Sequence, residues 1–225
     1  MQKNTRRVAL LLFALALIVC GIAYAKTAAK NTPEYAMTQI QQALRQKDAA
    51  TLEKYVDFET LVPDSYDTGT QILARDIEHL HALYPDDWFF RHDTAFMTDY
   101  IQNRRADDLA LIRGALAFYF EPEKRPVTQT DGTAHWLADE ARKFDSHYTA
   151  TVGAIEKDGD AALVTVQLAG DSSDYGRLVP QLTLKLRLAP AADGHYMVKS
   201  ISNPEEIFYP VVKGIEDYWT LQGWQ

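Results

Sequence analysis

Leu182-Thr183-Leu184-Lys185-Leu186-Arg187-Leu188 alternates without a break, so four leucines share one side and Thr183, Lys185 and Arg187 the other. A period of two like this belongs to a strand in a sheet with one buried and one wet face. Upstream, Tyr148–Ile155 and Ala162–Leu168 are rich in strand formers, including Val152, Ile155, Val164, Thr165 and Val166. Between them, Lys157-Asp158-Gly159-Asp160 carries an Asp-Gly pair that favours the positive φ angles of a tight hairpin. Downstream, Pro190 and Asp193-Gly194 mark a loop, and His195–Ile201 returns as a fourth strand with Tyr196 and Val198 on the leucine side. The stretch from His147 to Pro204 therefore predicts one four-stranded antiparallel sheet made of two hairpins.

The chain before the sheet reads as helical. Thr32-Pro33-Glu34 combines an N-cap, a first-turn proline and a first-turn acid, and Ala36, Met37, Ile40 and Leu44 follow as an apolar stripe. Asp48 predicts a second helix from Ala49 to about Phe58, closed by Pro63. Asp67–Thr70 reads as a turn capping a third helix, Gln71–Tyr84, that Pro85 stops. A fourth, about Asp93–Asn103, is linked or continued by Arg104–Asp108 into a fifth with Leu109, Ile112, Leu116 and Tyr119 on its apolar face. Glu121–Gly132 reads as a loop, and Thr133–Phe144 as a short helix leading into the sheet. After the sheet, Asn203-Pro204-Glu205-Glu206 starts a helix with Asn203 as cap and Glu206 reaching back to it, while Pro210 predicts an interruption. Phe208, Tyr209, Tyr218, Trp219 and Trp224 then predict a tail that straps across the rest. The expected fold class is α+β: a helical part over 32–120 packed on a sheet over 147–203, with the strap at 204–225, all in one domain over 26–225.

The first residues have another character. Lys3, Arg6 and Arg7 precede an uncharged apolar run from Val8 to Ile22, then Ala23-Tyr24-Ala25, a small-x-small pattern before a signal-peptidase cut between Ala25 and Lys26. The run is short for a membrane span, which needs roughly 20 residues, but extended to Ala25 it also reads as an uncleaved single-pass anchor. Either reading places the body outside the cytoplasm, periplasmic or tethered to the inner membrane, with membrane contact only through this segment. Cys20 is the single cysteine, so cleavage at Ala25 leaves a chain without disulfides, thiol catalysis or cysteine-ligated zinc. Cleavage removes Lys3, Arg6 and Arg7 and no acid, which takes the net charge from −8 to −11. Nucleic acid is excluded as a partner on that ground, because its affinity comes from clustered Lys and Arg. A cationic or small apolar ligand, an envelope protein or a second copy of the chain remain the candidate partners.

Tyr35, Gln39-Ile40, Ala43, Asp48, Leu52 and Tyr55-Val56-Asp57-Phe58 resemble the opening helix pair of a bacterial family of exported or membrane-anchored proteins that is defined only as a domain of unknown function. Helices followed by an antiparallel sheet also resemble the nuclear-transport-factor-2-like, or cystatin-like cone, superfamily. That resemblance implies a curved sheet enclosing a cavity, and its enzymes place acid–base groups there for isomerisation and dehydration.

Candidate site residues follow from these readings. His147 and Tyr148 at the sheet's beginning, with Asp99 in the helices, are the acid–base candidates for a metal-free hydrolase, lyase or isomerase. Trp88, Phe90, Tyr100, Tyr175 and Arg187 are the candidate ligand contacts, with Asp86-Asp87 beside the aromatic run. His79 and His81 diverge by about 200° on a helix and cannot share a metal ion. Asp171 and Asp174 lack the spacing of a calcium loop. No phosphate loop, dinucleotide fingerprint, nucleophile elbow or zincin helix is present, so no cofactor is expected. The preferred functional reading is a non-catalytic module of the cell envelope that binds a small ligand or another protein, and the enzyme is the alternative.

Overall fold

The computed structural model describes residues 30–87 and 89–223. Among them, helices α1 (Pro33–Gln46), α2 (Ala49–Tyr55), α3 (Phe58–Arg75), α4 (Ile77–Leu83), α5 (Thr94–Phe120) and α6 (Gln129–Ser146) precede strands β1 (Tyr148–Asp158), β2 (Ala161–Gly170), β3 (Gln181–Pro190) and β4 (Tyr196–Ile201). Helix α7 (Pro204–Leu221) closes the chain. This is the α+β arrangement, with a helical first half and then an antiparallel sheet in the order β1-β2-β3-β4. The expected leader with its expected cut between Ala25 and Lys26, and Trp88 and Trp224, lie outside the described residues. No helix among the described residues is long and apolar enough to cross a membrane.

The alternation at Leu182–Leu188 sets the sheet's inner face. Leu182, Leu184 and Leu188 are buried on β3, as are Ala162, Val164, Val166 and Leu168 on β2 and Ala150 and Val152 on β1. Pairing runs Val166↔Leu184, Leu168↔Leu182 and Ala162↔Leu188, so one face carries the whole apolar set. The first hairpin closes on Asp158↔Ala161, with Gly159 at φ +61. Glycine is thus the first central residue of a two-residue loop, and Asp158 ends the strand instead of opening the turn. Between Val152 and Ile155 the register shifts, because Gly153 and Ala154 together oppose Thr165. The extra residue turns Ile155 back to the core side and blunts the outer edge of β1.

Several helix boundaries differ from the sequence reading, each for a local reason. Helix α2 stops at Tyr55 because Val56 turns extended and forms a parallel bridge to Val198, with Asp57 N–H donating to the Val198 carbonyl at 3.0 Å. Asp57 then caps α3 by accepting from Thr60 N–H at 3.2 Å. Helix α3 runs through Pro63, through the expected turn at Asp67–Thr70 and on to Arg75. Helix α7 likewise runs through Pro210. A proline inside a helix costs about 3 kcal/mol. Leu61, Val62 and Tyr66 around Pro63, and Ile207, Phe208, Val211 and Val212 around Pro210, are all buried. Burial contributes roughly 1.5–3 kcal/mol for each such apolar side chain, so packing outweighs the proline in both helices.

The two helices read from 93 onward are one, α5, and the short helix before the sheet is the longer α6. A capping box starts α6: Thr128 accepts from Asp131 N–H, and Asp131 accepts from Thr128 N–H. Helices α5 and α6 cross closely at small residues, where a Cβ on Gly114 would lie 3.1 Å from Ala134 Cβ.

Two apolar cores result. The main one joins α1 (Ala36, Met37, Ile40, Leu44), the inner face of the sheet and parts of α5, α6 and α7. The second contains Ile72, Leu73, Ile77, Leu80, Phe89, Phe90, Met97, Phe208 and Val212. Helices α3, α5 and α7 contribute to both, so they tie the cores together. Asn203 fastens α7 to the sheet. It stands at the N-cap and Glu206 reaches back to it as expected, but its side chain makes no cap bond: its Oδ1 accepts from Lys185 N–H at 2.8 Å, and its Nδ2 donates to the Thr183 carbonyl at 2.9 Å and to Glu206 Oε2 at 3.0 Å.

Replacing Asn203 with Ala is expected to cost about 1–3 kcal/mol, since half-buried β3 backbone groups at Thr183 and Lys185 lose their partners. Gly114→Leu is expected to cost a similar amount, about 1–3 kcal/mol, by overpacking the α5–α6 crossing. Urea unfolding of both variants checks these values; an unchanged midpoint for either refutes its assigned role.

Candidate functional site

His147 follows the last turn of α6 and leads into β1, and it does gather polar groups. Its Nδ1 lies 2.9 Å from Asp171 Oδ2 and 3.0 Å from Ser173 Oγ, and its ring stacks on Tyr175 at 5.6 Å. Ser, His and Asp are the residues of a hydrolase relay, but the geometry differs from one. A relay needs the serine and the carboxylate on opposite ring nitrogens. Here both share Nδ1, and the Ser173 hydroxyl donates to Asp171 Oδ1. Ser173 Oγ also accepts from Gly176 N–H at 3.0 Å, so the group shapes the β2–β3 loop. The backbone packing is close enough that a Cβ on Gly170 would lie 1.9 Å from the Gly176 carbonyl oxygen.

Tyr148 is committed to the same loop: its hydroxyl donates to the Tyr175 carbonyl at 2.9 Å and accepts from Val179 N–H at 3.1 Å. Beneath it, Glu140 is 4% exposed and accepts from the Tyr218 hydroxyl at 2.8 Å, with Lys143 also bonded to it. Burial, then the bond to Glu140, pushes the Tyr218 phenol well above its usual range. Tyr175 completes this cluster, with its hydroxyl 3.4 Å from Glu140 Oε2.

The other sequence candidates lie elsewhere. Asp99 is exposed on α5 and accepts from Asn103 Nδ2 at 3.1 Å; no bond joins it to His147 or Tyr148. Phe90 is 4% exposed within the second core, against Tyr84 at 5.8 Å. Tyr100 packs on Phe89 at 5.8 Å. Arg187 projects from the wet face of the sheet and pairs with Asp158. His79 and His81 are exposed on α4, and His79 meets the Tyr209 ring at 5.7 Å. Among the described residues, no group of three or more His, Cys, Asp or Glu is placed to hold a metal.

A different place offers a concave surface. Leu83, Tyr84, Pro85, Asp86 and Asp87, at the end of α4 and in the turn after it, face Glu216, Asp217, Trp219 and Thr220 of α7 across a half-open groove of about 320 Å³. Its lining carries four carboxylates and no lysine or arginine. The last turn of α7 also lacks a basic residue, so the negative pole of an 18-residue helix adds to the same field. Tyr84 registers it: burial, then the charges of Glu216 and Asp217, push its phenol up. Arg91 and Lys213 stand at the margins, Arg91 on the Pro85 carbonyl at 3.3 Å and Lys213 on Asp217. Trp219, 2% exposed, anchors this part of α7 in the main core.

Sequence reading singled out Asp86-Asp87 and missed Glu216 and Asp217. A usable signal was there: adjacent acids near the end of a helix oppose its dipole, and only Asp217 has a local cation, Lys213 four residues before it.

Asp171 provides a pH test of the loop. Hydrogen bonds from Ser173, then from His147, hold its carboxyl down at about 2. A depressed carboxylate stabilises the fold above its unfolded value, near 3.9, and the contribution is lost as pH falls through about 2. Carbon-detected NMR titration is expected to place the Asp171 midpoint well below that of a free aspartate and to move it up in Ser173→Ala; a midpoint near 3.9 refutes the arrangement. The chain matches no protein-family model, no curated protein and no solved structure, so the groove is read from its own chemistry.

Proposed function

We propose that this chain is a non-catalytic binding module of the cell envelope that takes a cationic group in the groove between the α4 turn and α7. The observation that carries it is the acidic lining at the negative pole of α7, in which Asp86, Asp87, Glu216 and Asp217 meet, Lys213 pairs with Asp217 from the margin and Asp87 accepts from Phe89 N–H at 2.6 Å. An amine or guanidinium placed there gains a charge-assisted hydrogen bond from a lining carboxylate. Tyr84 and Trp219 supply aromatic walls for its apolar stem. A net charge of −8 draws cations toward the whole surface and the groove concentrates them. The assignment to the envelope rests on the basic, apolar and small-x-small order of residues 3–25.

Titration with L-arginine amide, followed by amide NMR shifts, is expected to move Tyr84, Asp86, Glu216 and Asp217 together and to weaken as salt is raised. Glu216→Gln with Asp217→Asn is expected to weaken the binding about tenfold, from two lost charge contacts. Shifts confined to other surfaces, or none at millimolar ligand, defeat the reading.

A further inference from the structure

We propose that His195 is a proton-operated latch: as an imidazolium it ties the β3–β4 loop to the end of α2, and loss of one ring proton opens that tie. The latch is independent of the groove and of what the groove binds.

His195 directly precedes β4, with its side chain 14% exposed and its ring edge-to-face with buried Tyr55 at 5.4 Å. Its Nδ1 meets Asp193 Oδ1, and its Nε2 lies 2.6 Å from the Lys54 carbonyl oxygen. Both partners only accept. A neutral imidazole has one N–H, so it satisfies one oxygen and turns a lone pair on the other, whereas the imidazolium satisfies both. The Lys54 carbonyl needs a donor for a local reason. In a continuing helix it takes the Phe58 N–H, but α2 stops at Tyr55 and that N–H donates to the Val56 carbonyl at 3.0 Å. The ring thus stands where the next helical turn is missing. Hydrogen bonds from the His195 ring, then from its backbone N–H, hold the Asp193 carboxyl below the usual carboxylate range, so a full negative charge faces Nδ1. Lys54 opposes the imidazolium from α2, its ammonium 5.8 Å from the Tyr55 ring. Tyr55 and, 6.3 Å from it, Tyr35 of α1 complete the surroundings; burial, then the Tyr35 charge, pushes the Tyr55 phenol up, so Tyr55 stays neutral where histidine titrates. Just beyond Lys54 the same junction is bound to β4 by the Val56–Val198 bridge and by Asp57 N–H on the Val198 carbonyl. Opening the latch leaves the junction on that bridge alone. The two ring bonds exist only in the folded chain, so their contribution is complete below the unfolded histidine value, near 6.5, and is lost as pH rises and the ring gives up its second proton.

Two measurements on the full chain test this. Long-range proton–nitrogen NMR of the histidine rings at about pH 5.5 is expected to show two hydrogen-bonded ring N–H protons on His195, slow enough in exchange to be seen, unlike those of a solvated imidazolium. Rapid-quench hydrogen exchange then follows the Asp57 amide relative to the amides of β2. Its relative protection is expected to fall about tenfold between about pH 5.5 and pH 9. His195→Gln, whose amide cannot donate to both oxygens from the ring's two positions, is expected to start from lower protection and to show no such fall. Asp193→Asn keeps an oxygen beside Nδ1 and removes its charge, so the fall is expected to move to lower pH. A single ring N–H at about pH 5.5 overturns the proposal. So does flat protection in the unaltered chain, or an equal fall in His195→Gln, which assigns the pH dependence to another group. Where His195→Gln does not fold, Asp193→Asn decides: an unmoved profile overturns the latch.

Discussion

Four strands that put Ala150, Val152, Val164, Val166, Leu182, Leu184, Leu188 and Val198 on one side make a surface that water cannot be left to cover. Helix α1 supplies Met37, Ile40 and Leu44 against it, and α7 returns to the same core with Ile207, Val211 and Ile215. The return is held by directional bonds as well as packing. Asn203 satisfies the backbone of β3 at Thr183 and Lys185, and the Val56–Val198 bridge seats the α2–α3 junction beside β4. With α7 so placed, its adjoining face, Phe208 and Val212, becomes part of the second core with Ile77, Leu80 and Phe90. The groove lies where these two constraints meet, between the end of α7 and the turn that follows α4.

Charge is distributed unevenly over this scaffold. On the wet face of the sheet the cations are matched: Lys185 pairs with Glu206, Arg187 with Asp158 and Lys199 with Asp57. Arg75 is held by both Asp76 and Glu205, and Arg105 by Asp67. Exposed pairs of this kind contribute little to stability, but they neutralise the surface on which they stand. Four acids, Asp86, Asp87, Glu216 and Asp217, come together where the α4 turn meets α7, with Lys213 paired to Asp217 and Phe89 N–H donating to Asp87.

The polar cluster at His147 shows how residue types alone mislead. Histidine, aspartate, serine and tyrosine within one loop suggest acid–base chemistry, and His147 and Tyr148 do stand together at the start of the sheet. The bonds they make are loop-shaping: the serine proton goes to the carboxylate, both oxygens meet one ring nitrogen, and the tyrosine hydroxyl bridges two backbone groups. Asp99, the third candidate, stands exposed on α5 with Asn103. Phe90 and Tyr100 pack in or against the second core, and Arg187 is bound to Asp158 across the sheet surface.

The sequence by itself determined the α+β class, the four strands and their inner face, the start of α1 at Pro33 behind Thr32, and the cap at Asp48. All of these depend on short-range rules: the alternation of a pleated strand, the two-residue turn at Gly159, and side-chain oxygens that satisfy the first free N–H groups of a helix. Long-range packing set three further features: Pro63 and Pro210 lie inside continuous helices, the side-chain oxygen of the N-cap Asn203 bonds β3 in place of its own helix, and α5 is one element. In each case burial or hydrogen bonding from distant segments outweighed a local preference of about 1–3 kcal/mol. It also decided the groove. Asp86 and Glu216 are 130 positions apart in the chain, and no local rule brings two like charges together. Only the packing of α7 against the second core does so.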